Sequence, residues 1–269
     1  MKIGIITSGS ETLTLFRFLS KYDHEYLVYY DFLHWPYGDK TFEQGLACVE
    51  KGIEYFTKQG VDAIILPPVY ELHYLVEGSK IFPLFRTYLF EYCFKYSLVG
   101  KIGLFGDFAD VEQAQSLVKK LATTYILTEN QKKIKKFHYP FAYRTKETPL
   151  WKYYLSSLSY SNVLVNKIIK FDLSYFKDAM TDTVIPLNYG YFHYQTTITK
   201  FLNFKKIRFH GLEKLETIFQ TVTSDKGKVT SKYSITIAYT GHVELLKREK
   251  RLVRLLQRGK NIDIVFKKV

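Results

Sequence analysis

The sequence predicts an α/β fold of two pseudo-symmetric domains, each a mostly parallel sheet flanked by helices, with a cleft between them. Three observations predict it. Short apolar runs alternate with amphipathic helical stretches, the pattern of buried parallel strands joined by crossover helices. Lys2-Ile3-Gly4, with its apolar continuation, polar turn and helix, recurs at Lys101-Ile102-Gly103. A second echo relates Val61-Asp62-Ala63-Ile64-Ile65-Leu66 to Thr181-Asp182-Thr183-Val184-Ile185-Pro186, each an Asp before a short apolar run that ends in a turn. The 269 residues suit about two domains.

In chain order, Ile3 to Ile6 reads as a buried strand, Ser8-Gly9 as a turn, and Leu13, Phe16 and Leu19 as the apolar stripe of a helix. A Pro36-Tyr37-Gly38 loop precedes a helix that carries Cys48, and Cys93 lies in the aromatic run from Phe82 to Tyr96. The second half begins with the strand ending at Gly106-Asp107 and continues into a helix from about Val111 to Leu121. After about Lys205 come one more strand, Ser234 to Tyr239, a Thr240-Gly241 turn and a basic helix from about Val243 to Arg258, a tail expected to pack on the first half. Open parallel sheets hold ligands just beyond the carboxyl ends of their strands. That directs attention to Thr7-Ser8-Gly9, Pro67-Pro68-Val69-Tyr70, Gly106-Asp107 and Leu187-Asn188-Tyr189.

Composition excludes several function classes. Lys and Arg total 39 against 26 acidic residues, a net charge of +13, but only 8 of the 39 are Arg. Phosphate and base recognition draws on the bidentate Arg fork, so a Lys-dominated excess reads as solvated surface and nucleic acid is not an expected partner. The basic runs at residues 131–136 and 247–258 read the same way. Two cysteines make no disulfide framework and the opening reads as a strand, so a reducing, cytoplasmic compartment is expected. No membrane span is expected, because even the apolar stretch Ile81 to Val99 contains Arg86, Glu91 and Lys95. The seven histidines show no ligand spacing, so no metal site is expected.

Together these segments resemble the cofactor-independent glutamate and aspartate racemases. Ile3-Gly4-Ile5-Ile6-Thr7-Ser8-Gly9 is similar to the family's I-G-x-F-D-S-G opening, and Trp35-Pro36-Tyr37-Gly38-Asp39-Lys40 to its A-P-Y-G-D/E-K loop. The run from Val61 to Tyr70 falls on V-x-x-x-V-x-A-C-N-T, Lys101 to Asp107 on R-I-G-V-I-G-T, Asp182 to Tyr191 on D-x-x-I-L-G-C-T-H-Y, and Tyr239-Thr240-Gly241 near the late T-G-D. The resemblance implies a first domain of residues 1–97 plus 208–269, a second of 98–207, an active site between them, no cofactor and a homodimer.

In that family one cysteine thiolate removes the α-proton and a second thiol returns a proton to the opposite face, a role suited to a side chain whose pKa is tunable towards neutrality. Here Pro68 stands at the first cysteine position and Asn188 at the second. The carboxylate of the D-S-G turn is Thr7, and the histidine of C-T-H is Gly190. By the resemblance no catalytic residue is retained at these four positions. Cys48 and Cys93 read as small buried hydrophobes.

The remaining ligand-binding candidates are Ser8 and Gly9 with Pro36, Tyr37 and Gly38, two turns that offer backbone donors and one hydroxyl, together with Tyr70, Asp107 and Tyr189. Tyr70 and Tyr189 replace family threonines, so two large rings are expected to point into the pocket. Asp107 puts a negative charge where an acidic substrate's carboxylate would lie, which disfavours glutamate unless a cation intervenes. The expected function is a racemase-like protein that has lost its two-cysteine machinery, with a ligand-binding or structural role, and with a small anionic ligand and a second copy of the chain as partners. The alternative is an enzyme acting on a small amino or carboxylic acid, with Tyr37, Tyr70, Tyr189 or Asp107 as acid–base groups. It requires an open cleft.

Overall fold

The computed structural model describes residues 1–9, 11–74, 79–131, 141–156, 162–203, 206–223, 232–241 and 261–269. The first half comprises β1 (Lys2–Thr7), α1 (Glu11–Leu19), β2 (Glu25–Asp31), α2 (Phe42–Lys58), β3 (Ala63–Ile65), α3 (Pro68–His73) and α4 (Leu84–Tyr88). The second comprises β4 (Lys101–Gly106), α5 (Phe108–Gln131), β5 (Ala142–Glu147), α6 (Trp151–Ser156), α7 (Val163–Asp178), β6 (Thr183–Pro186), α8 (Gln195–Asn203) and β7 (Arg208–Phe209). Then α9 (Leu212–Thr223), β8 (Lys232–Thr240) and β9 (Asn261–Lys268) complete the described chain.

Two sheets result, ordered β3-β1-β2-β8-β9 and β5-β4-β6-β7, and every strand pair in them is parallel. The strands β1 and β4 are equivalent: each has the next strand on one side and the strand after that on the other. Packing explains why the Lys-Ile-Gly signature recurs at both. A Cβ on Gly4 would lie 2.7 Å from the Phe56 ring of α2, and one on Gly103 would lie 2.5 Å from the Phe176 ring of α7. Both central strands thus need a residue without a side chain where a helix phenylalanine presses on the sheet.

The C-terminal tail joins the first sheet, with β8 beside β2 and β9 beside β8. The sequence offers little warning of β9, an edge strand in which Val265, Lys267 and Lys268 are exposed. Helix α5 is longer than its apolar stripe suggests, and the aromatic run forms α4 and a π-helical turn, Leu89–Phe94. The strand β7 lies just past residue 207, where the second domain is expected to end, and belongs to the second sheet. The basic helix expected over residues 243–258 and the basic run 132–136 lie outside the described residues. Among the described residues no helix is long and apolar enough to cross a membrane.

Candidate functional site

The segments that follow three strands of each sheet line one cavity: Ser8 and Gly9 after β1, Trp35 to Gly38 after β2, and Pro67 and Tyr70 after β3. From the other half come Asp107 and Asp110 after β4, Lys152 and Leu155 after β5, and Leu187 and Asn188 after β6. This is the crevice at the carboxyl ends of parallel strands where α/β proteins take ligands. Its volume is about 30 Å³. That is a small space, and the side chains around it are held by hydrogen bonds and an ion pair from both halves.

Glu11, in the first turn of α1, ties the two halves together across this cavity. Thr7 Oγ1 donates to its Oε2 at 2.7 Å, and Asn188 Nδ2 from the opposite half donates to its Oε1 at 3.1 Å. Asn188 is fixed in turn, because its Oδ1 accepts the backbone N–H of Gly190 at 2.7 Å and so caps a 3-10 turn over Tyr189–Tyr194. Three of the four positions where the resemblance loses its acid–base groups, Thr7, Asn188 and Gly190, are therefore wired into one polar chain with Glu11. The fourth, Pro68, opens α3 and is buried behind Pro67.

A second network is built around Lys152, whose side chain is 6% exposed. Its Nζ pairs with Asp39 of the loop after β2 and lies 3.3 Å from Asp107 Oδ1. Tyr191 Oη also donates to Asp107 Oδ1, at 3.1 Å, and Tyr153 Oη donates to Asp39 at 2.8 Å. Burial pushes the Asp107 and Asp110 carboxyls up from the ordinary aspartate range. Their mutual repulsion raises Asp110 further, while Lys152 pulls both down. Lys152 is thus the cation the sequence reading left open beside Asp107. Among the described residues the lining carries three carboxyls, Glu11, Asp107 and Asp110, to one ammonium, a balance that works against the small anionic ligand expected.

Of the two rings expected in the pocket, only Tyr70 is there. Tyr189 is 1% exposed, sits edge-on to Phe85 and donates through Oη to Glu71 Oε2 at 3.2 Å, away from the cavity. The cause is local: Asn188, which faces the cavity, is still extended, and the 3-10 turn that starts at Tyr189 sets that ring against Phe85 of α4. Tyr37 does line the cavity, with its N–H donated to Ser8 Oγ at 3.3 Å and its Oη to Asp31 Oδ2 at 3.0 Å. Burial raises the pKa of Tyr37, Tyr70 and Tyr189 alike, with Asp31 and Glu71 adding to the rise at Tyr37 and Tyr189, so none is poised to trade a proton near neutrality.

The candidates Ser8, Gly9, Pro36, Tyr37, Gly38, Tyr70 and Asp107 come together in the cavity, and Asn188 joins them. Glu11, Asp110 and Lys152 are the charged members that the sequence did not point to. Each sits in the first turn of the helix following a strand, and acidic residues at two such starts, Glu11 and Asp110, were the available signal. Neither thiol lines the cavity. Cys48 is buried in α2 and Cys93 in the π-helical turn, and burial raises the pKa of both. Among the described residues no three metal-ligating side chains of the lining bring their donor atoms within 4.8 Å of one another.

No protein-family model matches the chain, and no curated protein sequence does. Solved structures do. Glutamate racemase isoform RacE1 from Bacillus anthracis superimposes with a TM-score of 0.70 at 18% identity, over 98% of this chain and 96% of that one. The glutamate racemase from Campylobacter jejuni gives 0.71 at 14% identity, over 96% and 98%. The Francisella tularensis enzyme, solved with D-glutamate, gives 0.66 at 14%, over 98% and 97%. This chain has the glutamate racemase fold throughout its length, and likeness at such identities is likeness of fold.

Proposed function

We propose that this is a racemase-fold protein without two-thiol racemase chemistry, in which the interdomain cleft has become a polar junction with a structural or interaction role. One observation carries the reading: the cavity where the two halves meet is small, about 30 Å³, and is lined by no thiol. Inverting an α-carbon without a cofactor takes a proton carrier on each face. The matching positions, Pro68 and Asn188, hold a saturated ring with no ionisable group and an amide already engaged on both sides.

Calorimetric titration of the protein with D- and L-glutamate and D- and L-aspartate is expected to give no saturable heat at ligand concentrations up to ~1 mM. Stoichiometric binding of any of the four would contradict the closed junction.

A second reading has one observation in its favour. Buried carboxyls with raised pKa beside a lysine are a common signature of catalytic sites, and Asp107, Asp110 and Lys152 form such a group. It makes the protein an enzyme on a small acid that enters when the two halves part. The titration separates the readings when widened to small carboxylic acids and amines.

A further inference from the structure

We propose that Asp31, His34 and Cys48 form a binding site for a single borderline divalent ion of the zinc or cobalt type, placed behind the loop that lines the cleft. The three come from different stretches of chain: Asp31 ends β2, His34 lies in the following loop, and Cys48 is on α2. A carboxylate oxygen, an imidazole nitrogen and the sulfur lie within 4.8 Å of one another. A point among three such atoms is no further than about 2.8 Å from each, so movements below an ångström reach the ~2.0–2.3 Å bonds these ligands make to zinc.

The chemistry of the donors fits. A carboxylate, a thiolate and a neutral imidazole balance a doubly positive ion in a place where bare charge is costly, since Asp31 and Cys48 are buried. Sulfur and imidazole together select zinc or cobalt over magnesium or calcium. Asp31 is already oriented, accepting Thr240 Oγ1 at 2.7 Å on Oδ1 and Tyr37 Oη at 3.0 Å on Oδ2, and each oxygen keeps a lone pair. His34 Nδ1 lies 2.9 Å from both oxygens of Asp31, so an ion would take the place of the proton between them. The His34 side chain is 31% exposed, which gives the ion a route in and leaves water as the fourth ligand.

On binding, the Cys48 S–H bond breaks, a sulfur–metal bond forms and that proton goes to buffer, while the neutral imidazole of His34 keeps its one proton by carrying it on Nε2 and binds through Nδ1, with no change of oxidation state. Because Tyr37 bonds both Asp31 and the Ser8 turn, a bound ion would pin the Pro36-Tyr37-Gly38 loop against α2. The spacing of 31, 34 and 48 matches no familiar ligand pattern, which is why the sequence conceals the cluster.

The test is titration of the metal-stripped full chain with Co²⁺ alone, followed by optical absorption and by competition with Zn²⁺. One equivalent should produce the intense near-ultraviolet band of cobalt–thiolate charge transfer, and zinc should abolish it. His34→Ala should weaken binding at least tenfold while leaving the fold intact by circular dichroism, and Cys48→Ser should remove the band. Absence of the band from the native chain, or a band that survives Cys48→Ser and so arises at Cys93, would overturn the proposal.

Discussion

Lys152→Met is expected to destabilise the protein by about 3 kcal/mol near neutral pH, the cost of breaking a buried ion pair from one side. Among the described residues the ammonium is the only cation lining a cavity that also holds Glu11, Asp107 and Asp110, and Asp107 is 2% exposed. Methionine fills the volume of the stem but leaves Asp107 facing Asp110 without compensation. The loss should depend on pH in a definite sense. Without the lysine, Asp107 is held even further above its ordinary pKa of 3.8, so folding favours its neutral form. That preference costs nothing in acid, where the carboxyl is protonated folded or unfolded, and becomes a penalty as pH rises. Urea unfolding at pH 5 and pH 8 should therefore show the larger deficit at pH 8. Adding Asp107→Leu to Lys152→Met should recover most of it, since an apolar pair of similar volume is tolerated where half an ion pair is not.

Glu71 controls the other large effect. It is fully buried and accepts the backbone N–H groups of Phe85 and Arg86 at 2.8 and 2.9 Å, closing the first turn of α4, as well as the Tyr189 hydroxyl. Burial drives its pKa from 4.5 to about 7 against the pull of these donors. Folding thus favours the neutral acid, and the resulting stabilisation is complete below pH 4.5 and is lost as pH climbs through 7. Relative to Glu71→Gln, which cannot ionise, the native protein should lose roughly 3 kcal/mol of stability across that window. Glu71→Gln places an amide N–H against one backbone donor, so it should start about 1 kcal/mol less stable at pH 4.5 and gain on the native chain as pH rises. Parallel stability curves for the two proteins between pH 4.5 and 8 would show that Glu71 does not titrate there.

Much of the fold was legible because its signals are local. Apolar runs of strand length, the recurring Lys-Ile-Gly and the Ser8-Gly9 and Gly106-Asp107 turns mark β1, β4 and their carboxyl ends directly, and these ends frame the cavity. The Lys-Ile-Gly echo proved physical, since Gly4 and Gly103 both lie under a phenylalanine ring. The site was legible in its loops and illegible in its charges. Glu11, Asp110 and Lys152 are single polar residues on helices, indistinguishable in sequence from a solvated face, and only the parallel topology carries the first turns of α1, α5 and α6 to one point. Tyr189 went the other way, because its orientation depends on how the chain turns after Asn188.

The central claim concerns proton transfer at an α-carbon, and exchange with solvent tests it most directly. The protein is incubated in deuterated water with each enantiomer of glutamate and aspartate, and the α-proton signal is followed by NMR. The account predicts that all four signals persist unchanged at the rate of the protein-free control, whereas protein-dependent α-deuteration of any one of them would contradict it.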